Sequence, residues 1–354
     1  VLSTLIAQLN AGTALTPEQV ADAVGALTGD TLPVEQKADF LGALSRKGET
    51  VEEIAAFALT LRELSVTPPL EAETRAREIL DVCGTGGDRL NTFNISTTVA
   101  LIASAAGVTV AKHGNRAVTS QSGSADVLEA LGIRIDLTPE ETARSLRDHH
   151  FAFFFAQRYH PAFKNIGPAR KLCAERGQRT IFNFLGPLLN PARPTAQLIG
   201  VPCPELCEPI ARVLQRLGAR RGMVVSGVAS LSTAGSATRP ACLDELSTLG
   251  DTTVAEFYHD RGFATSVLAV HHFPVQPAVL ADLSGGHRDA NAAIIRQVLH
   301  GEERGPKRDA VLLNAAAALF VAGRAKTLTD GWELAAEIID SGRARAQLEA
   351  LVQR

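Results

Sequence analysis

The sequence predicts an α/β protein: a small all-helical domain followed by a large α/β domain built around a central, mostly parallel sheet. Residues 1–67 place apolar side chains only at helical spacing, whereas from about residue 78 short apolar runs alternate with helical ones. The chain has 354 residues, 45% hydrophobic and 21% charged, which is long for one small core and ordinary for a globular protein.

In order along the chain, Thr16-Pro17-Glu18 sets a cap, a proline and an acid at a helix start. Val20, Val24 and Leu27 follow on one stripe, then Phe40, Leu41 and Leu44. Thr50 to Leu64 carries Val51, Ile54, Phe57, Ala58 and Leu61 on one face, and Thr67-Pro68-Pro69 closes this part as a linker. The domains are therefore drawn at 1–67 and 70–354. The second reads as strand 79–83, helix 96–106, strand 108–111, helix 124–131, strand 151–156, helix 204–217 and strand 222–226. Helices at 290–300, 309–322 and 331–340 complete it. Gly107 and Gly132 stand where helix C-termini favour a left-handed residue.

A net charge of −3 argues against broad capture of nucleic acid or acidic membrane, so any anion site must be built locally. No apolar run approaches the roughly 18 to 20 residues of a membrane span. Five cysteines, at 83, 173, 203, 207 and 242, form no C-x-x-C pair, and no targeting pattern opens the chain. A cytoplasmic protein is the expectation.

Two loops carry the chemistry. Gly84-Thr-Gly-Gly-Asp88 follows a strand and precedes a helix capped near Ser96 or Thr97. Glycines admit an anion close to the backbone, and a helix N-terminus favours negative charge. The loop lacks the Gly-Lys-Ser/Thr ending of a Walker A motif and is not G-x-G-x-x-G; alone it is a tight turn. Asn94 to Thr97 is capping chemistry whose hydroxyls could also reach phosphate or magnesium. Lys112-His-Gly-Asn-Arg116, after Val108 to Ala111, offers a lysine and an arginine beside a run of hydroxyl and amide side chains. Both loops would open on one sheet edge toward one heavily phosphorylated ligand. His113 reads as a structural hydrogen-bonder.

These residues, in this order, resemble the anthranilate phosphoribosyltransferase family. The resemblance rests on Gly-Thr-Gly-Gly-Asp (84–88), Thr-Phe-Asn-Ile-Ser-Thr (92–97) and the segment 112–132. It is extended by His160-Pro161-Ala162, Pro168-Ala-Arg170, the segment 179–191 and Leu243-Asp-Glu245. It implies a helical domain packed on an α/β domain, with helices around 161–190 completing the former, and a homodimer joined through the helical domains. It also implies transfer of the phosphoribosyl group of 5-phosphoribosyl 1-diphosphate (PRPP) to anthranilate, releasing pyrophosphate, in tryptophan biosynthesis. By the resemblance, PRPP is held by Gly84, Gly87, Asp88, Thr92, Asn94, Ile95, Ser96 and Thr97. The second loop contributes Lys112, His113, Gly114, Asn115, Arg116, Ala117, Val118, Thr119, Ser120 and Ser124. Gly84, Asn115 and Arg170 meet anthranilate, and Ser96, Asp244 and Glu245 bind Mg²⁺, two ions per site. The chemistry is apt: Mg²⁺ prefers oxygen ligands and bridges substrate phosphates, and an arginine pairs bidentately with a carboxylate. No general base is assigned.

The chain departs from the family's pattern in places. Ser226-Gly227 replaces a usual His-Gly, and Asp244 follows only after a stretch, Val228 to Ala241, that reads as an extended mobile loop. Ala241-Cys242 stands where glycine is common, and Ala117 and Thr119 where serines are. A pyrimidine nucleoside phosphorylase, of the same fold, would need neither the intact glycine loop nor the Asp244-Glu245 pair. A non-catalytic nucleic-acid-binding relative would carry a basic surface, which this acidic chain lacks.

Overall fold

The computed structural model describes residues 1–117, 121–230, 241–259 and 261–352. Four helices open the chain: α1 (Leu2–Asn10), α2 (Pro17–Thr28), α3 (Val34–Lys47) and α4 (Val51–Glu63). Thr16 and Thr50 cap α2 and α4, each within a reciprocal capping box with Gln19 or Glu53. Lys37 on α3 is buried, and its ammonium donates to Leu27 O, Gly29 O and Asn165 O, ties that cap the end of α2 and reach a distant segment.

The short α5 (Ala72–Ala76) leads into β1 (Ile79–Gly84), α6 (Ile95–Ala105), β2 (Thr109–Gly114), α7 (Ser124–Leu131), α8 (Pro139–His149) and β3 (Phe151–Phe155). Then come α9 (Ala156–Tyr159), α10 (Gly167–Glu175), α11 (Phe182–Leu188), β4 (Ala196–Gly200), α12 (Cys207–Arg216) and β5 (Arg221–Ser230). An antiparallel section follows: β6 (Ala241–Leu243), β7 (Thr252–Tyr258) and β8 (Arg261–Leu268). Four helices finish the fold: α13 (Arg288–Leu299), α14 (Pro306–Val321), α15 (Leu328–Asp340) and α16 (Arg343–Val352).

The strands form one sheet in the order β3-β2-β1-β4-β5-β7-β8, with β6 also paired to β5. Neighbours from β3 through β5 are parallel; β6, β7 and β8 join antiparallel. Successive residues point to opposite faces. Ile199, Val224 and Phe257 enter one core, shared with α1–α4, α12 and the α10–α11 region through residues such as Phe40, Phe57, Ala169 and Leu185. Leu198, Met223, Val225 and Val254 enter the other, shared with α6, α7 and α13–α16.

From β1 the chain builds outward through β2 and β3, then returns to lay β4 and β5 on β1's other side. The loops after β1 and β4 therefore diverge, which leaves a crevice at the carboxyl ends of these strands. Val228 to Ser230 and Ala241, read from the sequence as loop, pair within β5 and β6, a correction that follows from their antiparallel ladder. Residues 231–240 lie outside the described residues.

Candidate active site

A cleft of about 410 Å³ lies at this crevice. β1 ends at Gly84, and the chain then takes left-handed turns at Gly86, Gly87, Arg89 and Asn91 (φ 75°, 91°, 59° and 53°). Glycine adopts these without a steric cost, and Arg89 and Asn91 do not. Gly84 answers to another constraint, because a Cβ there would strike the Asp244 carboxylate. The loop is tied down by Thr85 N–H donating to Gly200 O (2.8 Å) and Gly86 N–H to Asp244 Oδ2 (2.7 Å). Asp88 Oδ1 accepts from Leu90 N–H, and Thr92 bridges to Ser284.

Helix α6 begins at Ile95 with Asn94 as its N-cap residue, not at Ser96 or Thr97 as expected. The Asn94 side chain does not cap. Its Nδ2 donates to Ser122 O (3.1 Å), and its Oδ1 accepts from Asn291 Nδ2 (2.9 Å). The first turn is thus left for other partners. Ser96 N–H meets the Glu245 carboxylate, and Thr97 Oγ1 is buried with no partner among the described residues.

At the end of β2, Lys112 is 1% exposed; its ammonium donates to Val82 O (2.6 Å) and stands 3.4 Å from Ser96 Oγ. His113 Nδ1 lies 3.1 Å from Gly186 O and its Nε2 3.1 Å from His160 Nε2. Burial pulls both imidazoles down, to about 3 and about 4, so both are neutral at neutral pH. Beneath them Asp81 accepts from His113 N–H and Asn190 Nδ2 (2.8 Å). Burial raises it to about 6 against the opposing charge of Lys112.

The turn after β2 is clamped by Asp126, whose Oδ2 accepts from Ala117 N–H (2.9 Å) and Gly123 N–H (3.0 Å). Asn115 O accepts from Ala125 N–H and Ser124 Oγ, and a Cβ at Gly114 would displace that hydroxyl. Arg116 also lines the cleft. Its guanidinium is engaged by Glu129 and Asp126 of α7, which drive its pKa up, and Lys112 adds an ammonium at the strand ends. Val118, Thr119 and Ser120 lie outside the described residues.

Asp244 and Glu245 follow β6 and cross the ends of β1 and β4, where Gly200 leaves room for the Asp244 backbone. Burial first, and then the Asp88 charge, raises Asp244 to about 7; burial and Asp244 raise Glu245 well above the usual carboxylate range. Acids so crowded fit a divalent cation, which would relieve both burial and repulsion. Among the described residues no three His, Cys, Asp or Glu side chains converge as a closed metal cage. Magnesium is commonly held by one or two carboxylates and completed by water and substrate phosphate.

Across the cleft, Arg170 on α10 stacks 5.1 Å over the Phe182 ring, and Phe163 meets Phe182 edge-on at 5.6 Å. Arg170 is exposed on the cleft side, while the protein around its guanidinium lowers its pKa. No carboxylate of the described residues pairs with it.

The glycosyl transferase family α/β domain matches residues 76–345, and that family's helical bundle domain matches 3–65. The anthranilate phosphoribosyltransferase of Caulobacter vibrioides is 45% identical over 337 residues, 95% of this chain and 87% of that one. The crystal structure of the Thermus thermophilus enzyme superimposes with a TM-score of 0.86 at 40% identity, covering 99% and 98% of the two chains. The Saccharomyces cerevisiae enzyme in complex with PRPP and Mg gives 0.85 at 27% identity, covering 99% and 97%. The chain belongs to the anthranilate phosphoribosyltransferase family.

Within this family member, the cleft brings together Gly84, Gly87, Asp88, Thr92, Asn94 to Thr97, Lys112 to Ala117, Ser124, Arg170, Asp244 and Glu245. Sequence reasoning passed over Asp81, Asn190, Asn291 and His160 as a partner of His113. Each is a buried polar residue bonded to a partner far along the chain. A local pattern carries no sign of such partners.

Proposed function

We propose that the chain transfers the 5-phosphoribosyl group of PRPP to the amine of anthranilate, giving N-(5-phosphoribosyl)anthranilate and pyrophosphate, a step of tryptophan biosynthesis. One observation carries this reading. A single cleft sets an arginine that has no carboxylate partner among the described residues over an aromatic ring, against a crowded carboxylate pair beside a helix N-terminus and a buried lysine.

Each half has its own task. Arg170 pairs with the anthranilate carboxylate, and Phe163 and Phe182 pack its ring, with Asn115 and Gly84 at the boundary. The glycine loop, the first turn of α6 and Lys112 receive the phosphates. Ser96, Asp244 and Glu245 hold Mg²⁺, as two ions. Held by these residues, magnesium would supply positive charge against the departing pyrophosphate. The neutral arylamine attacks C1 as the bond to pyrophosphate breaks, and the surplus proton of the new secondary ammonium passes to water. No side chain is assigned as general base; positioning and electrostatics supply the rate. The chain is also read as a homodimer through its helical part, where α4 and its end expose Leu59 and Leu64.

The test is direct. Purified protein with PRPP, Mg²⁺ and anthranilate should release pyrophosphate while anthranilate fluorescence falls. Pyrophosphate release only with another acceptor would refute the substrate assignment.

A further inference from the structure

Asn314 sits in the middle of α14 with no solvent exposure, within the otherwise apolar run Val311 to Leu319. An asparagine there is a poor helix former, and its amide is costly to bury unless every polar atom is satisfied. Here it is satisfied by one distant residue and one turn of its own helix. Oδ1 accepts from Leu246 N–H (2.9 Å), while Nδ2 donates to Leu246 O (2.9 Å) and to Ala310 O (2.9 Å). Taking both the N–H and the C=O of one residue, the amide imitates a neighbouring antiparallel strand.

Leu246 directly follows Glu245. The segment is confined from other sides as well. A Cβ at Gly227 would come within 2.6 Å of Glu245 O and Ser247 N, and one at Gly200 would collide with the Asp244 backbone. Helix α14 also packs along α6, whose Ser96 N–H meets Glu245. The clamp and the helix N-terminus thus belong to one packed unit.

We infer that Asn314 is a positioning residue: by clamping the Leu246 backbone it sets the Asp244–Glu245 pair over the ends of β1 and β4, and so sets the affinity for the divalent cation. This rests on the reading of that pair as the magnesium site. A packing role alone would be met by a leucine of similar volume, with no buried amide to satisfy.

The test is a titration of Mn²⁺, followed by the electron paramagnetic resonance of the free ion, with the full chain and PRPP. It uses wild type, Asn314→Asp, Asn314→Leu and Asp244→Asn. Asn314→Asp keeps the acceptor for Leu246 N–H but turns a carboxylate oxygen against Leu246 O. Either Asn314 variant should weaken Mn²⁺ by about tenfold or more, the usual effect of losing a partner behind a metal ligand. The KM for anthranilate should stay within about twofold of wild type, because Arg170 and Phe182 stand on other elements. Wild-type Mn²⁺ affinity in a folded Asn314 variant, with Asp244→Asn impaired, overturns the inference alone. Intact affinity in Asp244→Asn overturns the metal reading beneath it. If neither Asn314 variant folds, hydrogen exchange on the wild type decides. The Leu246 amide should exchange as slowly as the sheet core, and exchange at the rate of a surface loop would refute the clamp.

Discussion

Replacing Arg170 by alanine separates the two halves of the site. The guanidinium lies over Phe182, has no ion pair among the described residues, and faces the cleft. Its removal leaves no partner stranded, so stability should change by no more than about 0.5 to 1 kcal/mol, the scale of an exposed cation–π contact. Substrate binding should suffer far more. A hydrogen bond to a charged group contributes about 1.5 to 3 kcal/mol, and a fork to a carboxylate makes two. Discounting for non-additivity, a loss of about 2 to 4 kcal/mol corresponds to roughly 30- to 1000-fold in kcat/KM for anthranilate. PRPP should be spared, with its KM within about twofold, since the glycine loop and Lys112 belong to other elements. Arg170→Lys should recover only part of the loss, because an ammonium keeps the charge but not the planar fork. Steady-state kinetics by anthranilate fluorescence, with each substrate varied in turn, measures both constants. An equal rise in both KM values, or an unchanged constant for anthranilate, would refute the assignment.

Three further outcomes are expected. Thr97→Val replaces a buried hydroxyl, without a partner among the described residues, with a methyl group, so thermal unfolding should show unchanged or slightly raised stability, while the KM for PRPP rises by about tenfold; a clear fall in melting temperature would show a partner within the fold. Gly200→Ala places a Cβ against the Asp244 carbonyl, where only backbone can yield, and a displacement of about 1 Å at a catalytic segment costs on the order of 100-fold in kcat; near-wild-type pyrophosphate release would contradict the close approach. His160→Gln removes an imidazole whose folded pKa, about 4, lies below its unfolded value, so the wild type binds fewer protons folded than unfolded as pH falls below about 6.5. The wild type's stability relative to the variant should therefore decline by about 1.4 kcal/mol per pH unit between roughly pH 6.5 and 4 in denaturant titrations, and a flat difference would mean that the imidazole titrates normally.

Where the chemistry was local, the sequence disclosed it. The glycine loop and the Lys112 segment each sit at a strand end, and the alternation from residue 78 onward placed those ends on one side of the sheet, whereas the acid pair, after the unpredicted β6, came only from the family resemblance. β4 was missed because Gln197 interrupts its apolar run, although that side chain is buried and donates to Pro187 O. β7 and β8 were missed because an antiparallel edge with one wet face carries a weaker signal than a buried parallel strand. Spacing also could not say which way Arg116 points. Its partners Asp126 and Glu129, one helical turn apart, were visible as acids but not as its counter-charges. Asn314 did leave a trace, as a lone amide in an alanine-rich helix, yet its partner lies 68 residues away.

The two halves of the cleft also differ in how their charge is balanced, and this constrains how the substrates depend on metal. Asp88, Asp244 and Glu245 repel one another, with Lys112 as a nearby cation acting on Glu245, so a divalent ion at the proposed donor half would relieve the crowding. Arg170 has the opposite need, a single carboxylate, and it sits on α10 in the core shared with α1–α4. The halves meet through the neutral His113–His160 contact, which carries no net charge from one to the other. Anthranilate should therefore bind with little dependence on magnesium, whereas PRPP should bind strongly only with it. Raising the magnesium concentration should therefore lower the KM for PRPP while leaving that for anthranilate within about twofold, and an equal response of both constants would refute this division of the cleft.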